Sequence, residues 1–332
     1  MTAPRLEVLA IGNAIVDVIA DADDAFLTDQ GLDKASMRLI DEAEAVRLYA
    51  AMGPGREVSG GSAGNTAAGL GALGIRTGFV GQVASDELGD IYRHDISAQG
   101  VEFLVDPRSD VGATARCLIL VTADAQRTMN TFLGAAQMLN AAAIDPARVA
   151  DAAILYLEGY LWDPEEPRAA MESAIAIARD AGRKVAFTLS DSFCIARHRG
   201  DFLRLISEGK IDILFANEAE LGELAGEADF DAALAAIAPQ VETLVVTRSD
   251  QGAVAVRGGE RVAVPAEPIE RLIDTTGAGD LFAAGFLAGE ARGLGLEASL
   301  KLGAIAAAEV IQHYGARPEA DLKALAGDLL GA

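Results

Sequence analysis

Short apolar runs set the rhythm of this chain. LEVLAIG, at positions 6–12, is an apolar run closed by a turn signal, and it predicts a buried first strand. From Ala153 onward such runs recur as ILYLEGY, KVAFTL, DILFAN and TLVVT, with a helical stretch over 164–181 and further helical stretches between the later runs. Apolar runs alternating with helices predict an α/β fold: a doubly wound, mainly parallel sheet covered on both faces. Ligands of such sheets bind at the carboxyl ends of the strands. Two stretches break the rhythm. Positions 16–59 and 101–132 are richer in turns, and in the second, β-prone residues alternate (Ala115, Cys117, Ile119, Val121, then Thr128 and Asn130) like an antiparallel hairpin around Asp124 and Ala125. Together they predict a small β lid inserted into a main domain made of 1–15, 60–100 and 133–332.

The length of 332 residues, 51% of them hydrophobic, suffices for one large domain carrying a smaller one. Acidic residues outnumber basic ones 50 to 27, and the formal charge of −23 argues against nucleic acid or an anionic membrane as partner. It does not exclude a phosphate ligand, because backbone N–H groups at a helix start can hold one with few basic side chains. Cys117 and Cys194 stand far apart with no CxxC, which suggests neither a zinc site nor a disulfide framework and fits a reducing cytoplasm. Positions 1–5 carry no apolar signal core, and the run at 6–11 is far too short to span a membrane.

The strongest chemical signal is Asp274-Thr275-Thr276-Gly277-Ala278-Gly279-Asp280, followed by the helical run LFAAGFLAGEAR. Small residues leading into a helix leave amides free to face one anion, and the helix dipole adds partial positive charge there. Such a cradle suits a phosphoryl group in transfer, with Asp280 beside it to take the proton of an attacking hydroxyl. An acid in a first helical turn also complements the dipole without any catalysis, and Asp280 alone carries both meanings. Asn217-Glu218-Ala219-Glu220 has a similar ambiguity: Asn followed three residues on by Glu is a capping box.

DTTGAGD followed by F-x-x-G-F resembles the C-terminal signature of the ribokinase-like (PfkB-type) carbohydrate and nucleoside kinases, and Gly60-Gly61-Ser62-Ala63-Gly64-Asn65 resembles its N-terminal companion. The resemblance covers nearly the whole chain and implies a doubly wound domain with a β-sheet lid, ATP and Mg2+ as cofactors, and Asp280 as catalytic base with Gly277, Ala278 and Gly279 as anion cradle. Asn217 and Glu220 match its N-x-x-E motif, Glu220 acting on magnesium through water. Val245-Val246-Thr247 and Gly252 resemble its T-x-G-x-x-G nucleotide loop, with Ser249 in place of the first glycine. Gly303 and Ala304 match the part that borders adenine, although small residues there also serve helix packing. Asp274 with Thr276 matches the place where the family often binds a potassium ion.

On the substrate side, Asn13 and Asp17 follow the first strand, and a carboxylate accepts two hydroxyl hydrogen bonds at once, as vicinal sugar hydroxyls require. Gly60, Gly61 and Asn65 are expected at the same hydroxyls. The opening GNAIVDV, then Phe26-Leu27, and Gly159-Tyr160 look closest to adenosine kinases, which implies adenosine as acceptor, AMP and ADP as products, and Tyr160, Leu161, Ile15 and Met138 as walls for a base. Gly64 departs from that pattern, since eukaryotic adenosine kinases often carry Gln there. A sugar or sugar-acid kinase (ribose, fructose or 2-keto-3-deoxygluconate) is the alternative within the family. A nucleoside-binding protein without catalysis is the alternative outside it. A small molecule is the expected partner, with a homodimer through the lid as the assembly to look for.

Two other motifs carry less. Gly60 to Gly64 fits G-x-S-x-G with Ser62 as a hydrolase nucleophile, but His94, His198 and His313 have no triad context. Gly69 to Gly74 fits G-x-G-x-x-G inside an expected helix, which is packing rather than a dinucleotide turn.

Overall fold

In a computed structural model, described over residues 5–124 and 126–330, fourteen strands form two sheets. In chain order they are β1 (Leu6–Ile11), β2 (Ile15–Asp21), β3 (Met37–Leu39), β4 (Arg56–Ser59), β5 (Thr77–Val80), β6 (Val101–Phe103), β7 (Ala115–Val121), β8 (Arg127–Phe132), β9 (Ala152–Glu158), β10 (Lys184–Thr188), β11 (Ile213–Asn217), β12 (Thr243–Thr247), β13 (Ala253–Arg257) and β14 (Glu260–Val264). The large sheet runs β14-β13-β12-β11-β10-β9-β1-β5-β6, parallel from β12 to β6 and antiparallel at the β12-β13-β14 edge.

Both faces of this sheet are buried, as continuous apolar strands require. In β9, Tyr156 enters one core while Leu155 and Leu157 enter the other. The first core is closed by helices Ser62–Ala72, Glu87–Ala98, Ala278–Ala291 and Leu296–Val310, the second by Glu165–Asp180, Ser192–Ser207, Glu218–Ala225 and Phe230–Ile237. Gly69 lies in the first of these helices, where a side chain would press on Leu281 at 2.7 Å and Ala284 at 2.8 Å, so the G-x-G-x-x-G run is helix packing.

The small sheet runs β3-β8-β7-β2-β4. Strands β7 and β8 form the antiparallel hairpin, pairing Val121 with Arg127, and Ala125 at its turn lies outside the described residues. The expected lid boundary at 101 needs correction: Val101–Phe103 pairs in parallel with β5 and extends the large sheet. A three-residue strand beside a buried edge gives too little pattern to be assigned from sequence. At the other junction, β2 begins at Ile15, so the lid takes up the chain two residues after Asn13. No helix of the described residues is long and apolar enough to cross a membrane.

Candidate active site

The carboxyl ends of β1, β9, β10, β11 and β12 open on a cleft of about 670 Å³ roofed by the small sheet. In its floor, Gly277 caps the helix Ala278–Ala291 at φ 78°, and a side chain there would press on Ala316 at 2.5 Å. Only glycine turns the chain into this helix. Gly279 faces open space, and its amide and that of Asp280 belong to the first turn, which has no helical acceptor for them. Of the three amides expected in the cradle, that of Ala278 is occupied, since it donates to the Thr275 carbonyl at 3.2 Å.

Asp280 rises from this turn into the cleft. Ser62 Oγ donates to its Oδ1 at 2.6 Å and Asn65 Nδ2 to its Oδ2 at 2.9 Å. Burial pushes the carboxyl up to about 6, against the opposing pull of Ser62, Asn65 and the Arg317 guanidinium. A carboxylate so tuned is ionised at neutral pH and a stronger base than an exposed one. Asn65, expected at substrate hydroxyls, lines the cleft and spends its Nδ2 on Asp280, while its buried Oδ1 has no partner among the described residues. Ser62 has a carboxylate for a partner and no histidine lines the cleft; His198 sits on Asp163 and His313 on Glu309. A Ser-His hydrolase centre is absent from the described residues.

Asn13 is also committed. Its N–H and its Nδ2 both donate to Glu158 Oε1 at 2.7 Å, while the Ala63 N–H donates to Oε2 at 2.7 Å. Glu158 is fully buried, and burial pushes it up to about 7 despite those donors. Glu158 belongs to none of the motifs above, although a lone carboxylate ending the apolar run ILYLE is a usable signal. Gly60 and Gly61 lie where expected for close approach: a side chain at Gly60 would overlap the Asp17 carboxylate, and one at Gly61 the Asn13 carbonyl.

Asp17 itself is half-buried in the cleft, and no donor among the described residues reaches its oxygens. Burial pushes it up to about 7, with Arg317 and Arg127 opposing and Asp280 adding to the rise. Arg317 is the other residue that no motif announced. Fully inside the protein, it donates to Ser59 O and Ser59 Oγ at 2.8 Å and to Gly64 O at 2.6 Å, tying the end of β4 to the start of the Ser62–Ala72 helix.

The expected walls are half right. Ile15 and Tyr160 line the cleft, Tyr160 held by its N–H to Ser190 Oγ at 3.2 Å and its hydroxyl to Ser190 O at 3.3 Å. Ser190 sits at φ 75°, a left-handed conformation that costs a non-glycine residue about 1–2 kcal/mol. Leu161 is instead part of the core, and Met138 does not line the cleft. Their place is taken by Phe193, Leu39 and Met37, which are 70%, 62% and 52% exposed at the rim.

Asn217 and Glu220, expected on the nucleotide side, line the cleft and also form the capping box: the Glu220 N–H donates to Asn217 Oδ1 at 2.8 Å, and Asn217 N and Nδ2 donate to Glu220 Oε2 and Oε1 at 3.0 and 2.7 Å. Burial pushes Glu220 up to about 7, opposed by the Asn217 amide and reinforced by Asp191 and Asp280. Carboxylates crowded around one cleft with their charges mutually unfavourable suit a hydrated magnesium ion. No cluster among the described residues is tight enough to hold a metal directly.

Thr247 lines both this cleft and an adjoining groove of about 880 Å³. Gly252, Gly303 and Ala304 are not brought to the cleft. Gly252 makes the turn into β13, where a side chain would overlap the Val264 carbonyl, and Gly303 packs its helix on Phe282, whose carbonyl a side chain would meet at 2.8 Å. Asp274 and Thr276 adjoin the cradle, with Arg127 of β8 forming an ion pair with Asp274 and donating from Nη1 to Thr276 Oγ1 at 2.8 Å.

A glycine-started helix, a tuned carboxylate and a lidded cleft at the strand ends agree with a sequence comparison in which the pfkB family carbohydrate kinase model matches residues 7–322. The chain belongs to the pfkB family of carbohydrate kinases. Among solved structures, this kinase superimposes with a TM-score of 0.90 on a probable sugar kinase from Rhizobium etli, 49% identical over 97% of each chain. It superimposes with a TM-score of 0.89 on the adenosine kinase of Sinorhizobium meliloti, 49% identical over 96% of this chain and 98% of that one. The adenosine kinase of Saccharomyces cerevisiae is 28% identical over 95% of this kinase and 96% of its own length.

Proposed function

We propose that this kinase moves the γ-phosphate of ATP to the 5′-hydroxyl of a nucleoside, with adenosine as the preferred acceptor. The carrying observation is Asp17, a carboxylate without a protein donor among the described residues, in the same cleft as Asp280 and under an apolar rim of Tyr160, Phe193, Met37 and Leu39. A ribose diol satisfies both Asp17 oxygens while a purine occupies the rim; a free sugar leaves the rim exposed to water. The similarity to the Sinorhizobium meliloti enzyme supports the same choice.

In this mechanism Asp280 takes the proton of the attacking hydroxyl, held in orientation by Ser62 and Asn65. The amides of Gly279 and Asp280 neutralise charge on the migrating phosphoryl group. Asn217 and Thr247 line both cavities, which suits ATP lying in the groove with its phosphates entering the cleft. Magnesium supplies charge neutralisation on those phosphates when bound, and Glu220 and Asp191 would hold it through water. Closure of the lid excludes water from the transfer.

The test is ADP release with adenosine, inosine, ribose, fructose, fructose 6-phosphate and 2-keto-3-deoxygluconate. Adenosine is expected to exceed every sugar in kcat/KM. A sugar or sugar acid as the best substrate moves the assignment within the family, and adenosine binding without any ADP release would favour a non-catalytic nucleoside-binding protein.

A further inference from the structure

The resemblance to potassium-binding relatives and the observed contacts disagree at Asp274 and Thr276. Asp274 is buried, and each of its oxygens already has a backbone donor: Thr276 N–H on Oδ1 at 3.0 Å and Gly315 N–H on Oδ2 at 2.9 Å. The remaining approach to Oδ2 is taken by the Arg127 guanidinium, which also donates to Thr276 Oγ1 at 2.8 Å and lies over the Tyr314 ring, 5.7 Å from its centre. The Arg127 side chain is 10% exposed and that of Asp274 5% exposed, so this is an interior ion pair and not a surface one. A potassium ion needs a shell of oxygen ligands. Beside a guanidinium on the same carboxylate it would meet a like charge with little water to screen it.

We propose that Arg127 is the resident cation of this anion cradle, standing where a potassium ion would otherwise complete it, so that phosphotransfer here does not depend on a monovalent ion. The consequence is structural as well as ionic. Arg127 is the first residue of lid strand β8, whereas Asp274 and Thr276 belong to the loop leading to the Gly277 helix start. The positive charge that orders the cradle therefore travels with the lid, and cradle and closure are coupled through one side chain. The inference rests on the cradle serving phosphotransfer, as proposed above, but the ion itself can be tested apart from turnover.

Two readouts serve: ADP release and melting temperature, each in potassium chloride, sodium chloride and tetramethylammonium chloride at matched ionic strength. The unaltered kinase is expected to give the same rate within about twofold in all three and the same melting temperature. Arg127→Met should lose about 10- to 100-fold in tetramethylammonium, the size of one charge-assisted contact, and recover at least about tenfold in potassium. Its melting temperature should rise in potassium alone. Arg127→Lys keeps the charge and should stay indifferent to the salt, which guards against a general folding defect in the Met variant. Potassium activation or potassium-dependent melting of the unaltered kinase overturns the proposal, and so does an Arg127→Met protein whose melting ignores potassium. If no acceptor yields ADP in any salt, the phosphotransfer reading fails while the melting data still decide whether Arg127 fills an ion's place.

Discussion

Two helix starts in this kinase look alike in sequence and behave in opposite ways. Both follow the carboxyl side of the large sheet and both carry an acid in the first turn: Glu220 in the helix Glu218–Ala225 and Asp280 in the helix Ala278–Ala291. At the first, the cap and the acid satisfy each other, Asn217 Oδ1 taking the Glu220 N–H and Glu220 Oε2 taking the Asn217 N–H. At the second the cap is Gly277, which has no side chain to offer, and the acid is held from another element by Ser62 and Asn65. On the proposed mechanism, a helix start serves as an anion site when nothing local satisfies its amides. The acid beside it is then free to act as the proposed base, because its partners hold it toward the cleft rather than back to its own backbone.

The largest effect comes from removing the acid that is not self-satisfied. Asp280→Asn is expected to lower kcat by about 10³-fold or more with little change in nucleoside binding, measured by ADP release and by equilibrium binding. In the unaltered protein kcat/KM should climb as pH rises through about 6, where the buried carboxyl ionises. Stability should move the other way. Asp17, Glu158, Glu220 and Asp280 all hold protons in the folded state to about 6 or 7, above ordinary values of 3.8 for Asp and 4.5 for Glu. The folded state therefore binds more protons than the unfolded one in that window, and stability falls as pH rises from about 4 to 7. Asp280→Asn should flatten part of that decline in melting temperature. A variant that retains more than a tenth of the activity removes Asp280 as base.

Much of this contrast was legible in the residues, and the rest was not for identifiable reasons. DTTGAGD carries its chemistry in seven consecutive positions, so the helix start, Gly277 and Asp280 could all be placed from sequence. The capping box at Asn217 and Glu220 is equally local. Glu158, Arg127 and Arg317 act across the fold: Glu158 binds Asn13 from 145 positions away and Arg317 binds Ser59 from 258. Apart from the lone carboxylate that ends ILYLE at Glu158, nothing in their immediate neighbours marks them, because their partners are supplied by topology. Gly303 and Ala304 fail for the reverse reason. Small residues in a helix have the same appearance whether they admit a ligand or a neighbouring helix; here Gly303 admits Phe282 and Ala304 is buried in the core.

The middle-sized effect tests the self-satisfied start. Glu220→Ala removes half of the capping box and is expected to cost about 0.5–2 kcal/mol in a urea titration. It should also raise the magnesium and ATP concentrations needed for half-maximal rate while leaving nucleoside KM unchanged. Asp280→Asn should do neither. If Glu220→Ala leaves the magnesium requirement untouched, this helix start is structural only, and the difference between the two becomes absolute.

The smallest effect lies in the loop beside that start, where the two regions also differ in how they turn the chain. The helix Ala278–Ala291 starts with glycine at φ 78°, but Ser249, facing the 880 Å³ groove with Asn217, holds φ 52° with a serine side chain. A left-handed non-glycine residue costs about 1–2 kcal/mol, whereas a glycine gives up about 0.5–1 kcal/mol more backbone entropy on folding. The two nearly cancel, so Ser249→Gly should raise stability by only about 0.5 kcal/mol, seen as a shifted urea midpoint at unchanged slope. A loss of more than about 1 kcal/mol would mean that the serine hydroxyl has a partner worth more than the strain, and that this loop, unlike Gly277, is held by its side chain rather than by its backbone.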